Sequence, residues 1–140
     1  MPDPKTEPRT RPPAELFDVL WHLHQEAMRA GSYDAAYHLL AAALHCAERA
    51  ESLALIGGVE SIAAIHQEEL DAVEPPEPHS TASAKARGTS PLFTSLRTAA
   101  RAMAARIRAD RVVDDHRARQ SAGDTPAPPA NPAQDEAPSA

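Results

Sequence analysis

The side chains in this chain that could most readily bind a metal or take part in catalysis are its histidines, of which there are seven among 140 residues. Two imidazoles chelate a metal when they share one helix face a single turn apart. His22 and His24 lie on different faces of a predicted helix. His38 and His45 share a face but stand about 10.5 Å apart along the axis. His24 and His66 fall on apolar stripes, where histidine is usually a hydrogen-bonded core residue. The spacing therefore predicts no metal site and no cofactor.

Cysteine chemistry is equally restricted, because Cys46 is the single cysteine. It excludes an internal disulfide and is typical of a reducing compartment. His45 is the neighbour that could lower its pKa, and the helical wheel places Cys46 away from the apolar stripe. The sequence contains no glycine-rich phosphate loop, no Gly-x-Ser-x-Gly element and no signal peptide. We therefore expect a cytoplasmic protein that is not an enzyme, without a membrane span and without a small-molecule substrate.

Proline and charge divide the chain into segments. Fourteen prolines cluster near both ends and around residue 76, and such stretches favour extended or disordered backbone. Residues 14–74 carry a net charge of −9, whereas residues 91–120 carry +4. An acidic body repels nucleic acid and anionic lipid, while a basic helix attracts both, or the body itself. The predicted segments are a disordered arm (1–12), an acidic helical bundle (13–74), a Pro/Ser-rich linker (75–90), a basic amphipathic helix (91–119) and a disordered tail (121–140).

Apolar residues spaced three and four apart predict the helices. They cover residues 13–30, 32–50, 52–73 and 91–110, the last with a frayed extension to 119 as an alternative. In the first helix the stripe follows Leu16, Leu20, Leu23 and Ala27, and Phe17, Trp21, His24 and Met28 flank it. Gly31 closes the first helix, and the short connection there predicts an antiparallel pair. The apolar stripe keeps its phase across Gly57 and Gly58, so we expect an unbroken third helix, with a kink as the alternative. A body of about sixty residues is marginal alone, which favours a partner, self-association or a docked fourth helix.

The second helix and its entry resemble a tetratricopeptide repeat, a helix–turn–helix unit of 34 residues. The positions that match are Leu20 and Leu23 in the first helix, Gly31 and Tyr33 at the turn, Ala36, Leu40 and Ala43 in the second helix, and Gly58 in the next. The resemblance covers about one and a half repeats, roughly residues 17–65. It implies antiparallel helical hairpins and binding to other proteins. Together with the helical patterning, it predicts an all-α fold: a three-helix antiparallel bundle like that of tetratricopeptide repeats, plus a separate basic amphipathic helix.

The predicted function is therefore non-enzymatic: an adaptor or regulatory module that binds a protein partner or itself. The basic helix has three interpretations: docking on the acidic body, where its arginines would meet acids such as Glu60, insertion into a groove of a partner, or contact with phosphate. The alternative function is a small nucleic-acid-associated regulator that uses this helix. The candidate partner-binding residues are Trp21, Tyr33, Tyr37, His38, His45, Arg97, Arg101 and Arg108, with the aromatics alternatively in the core.

Overall fold

The structure is entirely helical over the residues it describes, which confirms the predicted all-α class. It is a computed structural model that describes residues 11–73 and 77–123. Predictions for residues 1–10, 74–76 and 124–140, including most of the expected arm and tail, lie outside these ranges. The helices are α1 (Pro13–Arg29), α2 (Tyr33–Arg49), α3 (Leu53–Asp71), α4 (Thr81–Ala86) and α5 (Leu92–Gly123).

Two similar turns reverse the chain after α1 and after α2. Gly31 has a φ of +73°, and its N–H donates to the carbonyl of Met28 while that of Ser32 donates to Ala27. These bonds form a Schellman motif, which confirms Gly31 as the residue that closes α1. Glu51 takes the same position after α2 with a φ of +51°, a conformation that costs a side chain about 1–2 kcal/mol. The second turn therefore forms without a glycine, the residue from which it could have been predicted in the sequence.

α1 packs against both α2 and α3. The tight turn at Gly31 makes α1 and α2 antiparallel. α1 and α3 run parallel, since Trp21 lies over Gly58 in the first half of both helices and His24 meets His66 further along. α3 continues without a break through its glycine pair, as predicted. Ser52 begins that helix by accepting a hydrogen bond from the N–H of Leu55 at 3.2 Å. Ser32, in the same position before α2, makes no such bond.

The first half of α5 belongs to the core and is not the separate helix that the sequence suggested. Its apolar residues, spaced three and four apart, are buried together with those of α2 and α3. They are Phe93, Leu96, Ala100, Ala104 and Ile107. Because this stripe is covered by the body, the predicted three-helix bundle is in fact a packing of four long helices. This docking supplies the extra buried surface that so small a body needs.

The order of contacts gives the direction of α5. Near its start the ring of Phe93 packs edge-on against Tyr37 at the beginning of α2, and Arg106 further along pairs with Glu48 near the end of α2. The two helices therefore run parallel. Contacts with α3 occur in the opposite order, so α3 and α5 are antiparallel. The result is two antiparallel pairs side by side, α1 with α2 and α3 with α5.

The second half of α5 forms a separate compact unit that begins at Ala109. The helix continues to Gly123, well past the predicted loss of phase after residue 110. Every residue from 109 to 123 is exposed, including Val112 and Val113. The stretch has three alanines and three arginines, which favour helix, and three aspartates and two valines, which favour it less.

The buried arc of α1 is rotated from its predicted position. Phe17 and His24 are buried, whereas Leu16 and Leu23, expected at the centre of the stripe, are 40% and 42% exposed. The reason is that α1 faces α3 as well as α2, which moves the centre of burial toward the α3 side. Cys46 is buried, so the prediction that it lies away from the core is wrong.

A short helix interrupts the segment that was expected to be a flexible linker. Ser80 starts α4 by accepting a hydrogen bond from the N–H of Ser83 at 3.1 Å. Asp71, at the end of α3, accepts from the N–H of Thr81 at 2.6 Å and from its hydroxyl at 2.7 Å. Arg87 donates to the carbonyl of Pro78 at 2.6 Å. These local bonds order a stretch whose composition predicts disorder.

Candidate functional site: the groove between α1 and α3

Trp21 borders a cleft of about 250 Å³ near the start of the α1–α3 groove. Its lining residues are Phe17, Asp18, Trp21, Ala54, Leu55 and Gly58. The indole is half-buried, stacks on Phe17 with ring centroids 5.5 Å apart, and meets His24 edge-on at 4.9 Å. A Cβ at Gly58 would lie 4.0 Å from the indole. Gly58 brings no side chain to the cleft, so the backbone of α3 is accessible beside an amphipathic ring, the type of residue that anchors protein interfaces.

A second cleft, of about 340 Å³, lies further along the same groove. Its lining includes Gln25 and Arg29 from α1, Tyr33 from the start of α2, and His66 and Glu69 from α3. Asp18 in the first cleft and Gln25 in the second are seven residues apart on α1, which is about 10.5 Å along the axis. A single extended or helical segment of a partner is long enough to contact both clefts.

The other aromatic and histidine candidates do not gather at this groove. Tyr33 borders the second cleft, but Tyr37 is half-buried against Phe93, so its main role is in packing. His38 and His45 are exposed on α2, away from the clefts between α1 and α3. The structure therefore brings Trp21 and Tyr33 to one groove and leaves the two histidines outside it.

Two of the seven arginines of α5 pair with carboxylates of the acidic body. Arg101 Nε lies 2.6 Å from Glu60 Oε1, the contact that the docking interpretation expected, and Arg106 pairs with Glu48 at 3.1 Å. Arg97 is half-buried, and its Nε finds no hydrogen-bond partner within the described residues. Arg108 is exposed. Two of these cations are thus partly neutralised by carboxylates of the same chain, which weakens the field that would attract phosphate.

His24 and His66 both face inward, as their position on the apolar stripes predicted, and they meet each other between α1 and α3. Their Nε2 atoms are 3.1 Å apart, His24 is fully buried, and His66 Nδ1 lies 3.3 Å from Glu69 Oε2. Burial lowers the pKa of His24 to about 4; the nearby His66 also lowers it, and the backbone of Trp21 acts in the opposite direction. At neutral pH His24 is therefore uncharged.

Gln67, which the sequence did not single out, connects three parts of the chain. Its amide oxygen accepts the buried N–H of Phe93 at 3.1 Å, and its amide nitrogen donates to the carbonyl of His79 and to Asp71, both at 3.2 Å. Burial raises the pKa of Asp71, but hydrogen bonds from Thr81 and Gln67 outweigh that effect and lower it overall. The only sequence signal for Gln67 was its place next to the inward-facing His66.

Comparisons with known proteins do not assign this chain to a family. No family model, curated protein or solved structure matches it. Within residues 11–73 and 77–123, no helix combines the length and apolar character needed to cross a bilayer. The same ranges contain no cluster of three or more His, Cys, Asp or Glu side chains that could hold a metal ion. The proposals below accordingly depend on the geometry of the molecule.

Proposed function

We propose that this protein is a non-enzymatic interaction module that binds a segment of a partner protein in the α1–α3 groove. The observation that carries the proposal is the open cleft beside Trp21, where Gly58 leaves room next to a half-buried indole. The groove offers an apolar anchor position at Trp21, with Asp18 at its edge. A partner segment with an apolar side chain followed or preceded by a basic one would suit it.

The arrangement of the helices supports a tetratricopeptide-like interpretation of the module. Two antiparallel pairs placed side by side are what two such repeats would produce, with α4 inserted in the connection of the second pair. Stacked helical pairs create extended surfaces on which partner segments bind. The proposed groove lies between the first helices of the two pairs, which is a surface that both pairs share.

A nucleic-acid-associated role is the weaker proposal. The arginines of the basic helix are the feature that motivated it. Arg101 and Arg106 are engaged with Glu60 and Glu48, and the core uses the apolar face of the same helix segment. Phosphate groups would have to displace those carboxylates from the arginines, which costs the free energy of the two ion pairs. Binding of a protein segment in the α1–α3 groove does not require either ion pair to break.

A charge placed in the cleft tests the proposal. Ala54 lines the cleft and is exposed, so Ala54→Arg should block the groove and leave the core intact. Ser61→Arg is the matched control, because it adds the same side chain at an exposed position of α3 that does not line the cleft. The tagged full-length proteins are recovered from cells that express them, and co-purified proteins are quantified by mass spectrometry.

We expect Ala54→Arg to reduce at least one co-purified protein more than tenfold, while Ser61→Arg retains it at the wild-type level. Circular dichroism establishes that both variants are as helical as the parent. Equal recovery of every partner with both variants would contradict the proposed groove. Loss with both variants alike would also contradict it, because the effect would then be one of charge on α3 and not of the cleft.

A further inference from the structure

The His24–His66 contact is an unusual way to join two helices. The two imidazoles approach through their Nε2 atoms at 3.1 Å, which is a hydrogen-bond distance. Such a bond requires one nitrogen to carry a hydrogen and the other to present a lone pair. The contact that fastens α1 to α3 therefore exists only while at least one of the two rings is neutral.

The neighbouring groups determine which proton arrangement is best. A hydrogen on His66 Nδ1 donates to Glu69, which leaves His66 Nε2 as the acceptor and His24 Nε2 as the donor. In that arrangement His24 Nδ1 is a bare, buried lone pair that makes no hydrogen bond among the described residues. The backbone of Trp21 favours a proton on this ring, but burial and the nearby His66 outweigh it and lower the pKa of His24. Acid would protonate Nδ1 and create a cation in a fully buried ring, a costly state.

Few charges are placed to compensate for a proton there. Glu69 faces His66 from α3 itself, and Arg29 from α1 borders the same cleft with a charge of the wrong sign. α2 contributes Tyr33 to that cleft, and α5 contributes the uncharged ring of Phe93, whose centroid is 5.3 Å from that of His66. Glu69 is well exposed, so solvent screens its charge. It can stabilise a proton on His66, which it contacts, but not one on the buried ring of His24.

We propose that the His24–His66 pair is an acid-sensitive fastening between α1 and α3, which loosens the fold as the pH falls from 7 to 5. A proton on His24 would leave a buried cation without a counter-ion, and protons on both rings would place like charges at a hydrogen-bond distance. The closed pair therefore resists protonation, and acid favours the form in which the two rings have parted. α1 then separates from α3, and Trp21, which packs edge-on against His24, moves with it. Acidification therefore also lowers the fraction of molecules that carry the groove beside Trp21.

The direction and size of the effect follow from linkage between protonation and folding. The pKa of His24 is lowered in the folded state from its usual 6.5 to about 4, so the unfolded chain binds the proton more readily between those values. Stability contributed by the neutral ring is complete above about pH 6.5 and declines as the pH falls toward 4. The unfolding equilibrium constant should rise about 20-fold between pH 7 and pH 5 from this residue alone.

Urea unfolding of the full-length chain at both pH values measures this rise. Trp21 is the only tryptophan, so its fluorescence reports directly on the α1–α3 contact. His24→Gln retains a group able to hydrogen-bond with His66 but cannot titrate, and we expect it to reduce the rise to less than about fivefold. The matched control is His22→Gln on the exposed side of α1, which should keep the full 20-fold effect.

An equal rise in His24→Gln and wild type, or a wild-type rise below about threefold, would overturn the proposal. If His24→Gln does not fold, nitrogen NMR of the imidazoles in the wild-type chain decides the matter. We expect His24 to stay neutral until signals from α1 and α3 report their separation. Ordinary titration of His24 near pH 6.5 with both helices intact would refute the fastening.

Discussion

Replacing Gln67 with methionine should weaken the attachment of α5 to the body. Methionine has a similar length and flexibility but cannot accept a hydrogen bond from the N–H of Phe93. That N–H is one of the first in α5, where no partner exists within the helix, and it is buried. The carbonyl of His79 and the carboxylate of Asp71 also lose a donor, but both lie nearer to solvent.

The magnitude follows from these different environments. A buried donor left without a partner costs about 1–3 kcal/mol. The two lost donor bonds add less than about 1 kcal/mol together, because water can replace the amide at partly exposed acceptors. We therefore expect a loss of about 2 kcal/mol. For a domain of roughly 100 residues this corresponds to a decrease in Tm of about 10 °C.

Thermal unfolding followed by circular dichroism measures the change. Glu68→Met is the matched control, because it introduces the same residue at the next position of α3, which is exposed; it should shift Tm by less than about 2 °C. Hydrogen exchange adds a local readout, since the Phe93 amide should exchange faster in Gln67→Met. A decrease in Tm below about 3 °C, with Phe93 exchange unchanged, would refute the role assigned to Gln67.

Two further substitutions test the interior of α3 and the docking of α5. Gly57→Ala should stabilise the protein by up to about 1 kcal/mol in urea unfolding, because a Cβ there meets no other atom of the described chain within 4 Å; destabilisation would show that the helix needs this glycine. Arg101→Glu should cost about 0.5–1 kcal/mol, and adding Glu60→Arg should recover most of it, because the pair is partly exposed. Arg108→Glu serves as the control with little effect, and a double variant no more stable than Arg101→Glu would exclude a specific ion pair.

Helix periodicity was sufficient to locate the four long helices, but it was insufficient to orient them. The apolar stripe of α1 was centred on Leu16 and Leu23, yet the structure buries Phe17 and His24. A helical wheel records which residues are apolar and contains no information about how many neighbours a helix has. α1 has two neighbours, and its buried arc is centred on the side where α3 lies.

The turn after α2 and the short helix α4 could not be predicted from the sequence, for a different reason. Both form through backbone and side-chain bonds that common residues can make. Glu51 adopts a left-handed conformation that usually indicates glycine, and Asp71 organises Thr81 across ten positions of sequence. Composition predicted a flexible linker for the segment that contains α4. Composition contains no information about hydrogen-bond partners from distant residues, such as Asp71 at the end of α3.

The candidate site was predictable in part. Trp21 was selected as an aromatic on an amphipathic helix, but its cleft depends on Gly58 from a helix that begins more than thirty positions later. The inward direction of His24 and His66 followed from phase, whereas their mutual contact required the parallel packing of α1 and α3. The pairing of Arg101 with Glu60 was predictable from charge, because the sequence shows a basic helix and an acidic body that attract each other.

Two adjacent residues of α3 connect it to two different helices. His66 faces α1 through its contact with His24, and Gln67 faces α5 through the N–H of Phe93. Adjacent positions on a helix point about 100° apart, so one turn of α3 contacts both antiparallel pairs with polar groups. A buried polar contact of this kind stabilises the fold only while its own hydrogen bond is made. Acid removes that condition on the α1 side and leaves Gln67 intact, so α3 should remain attached to α5 after α1 has separated.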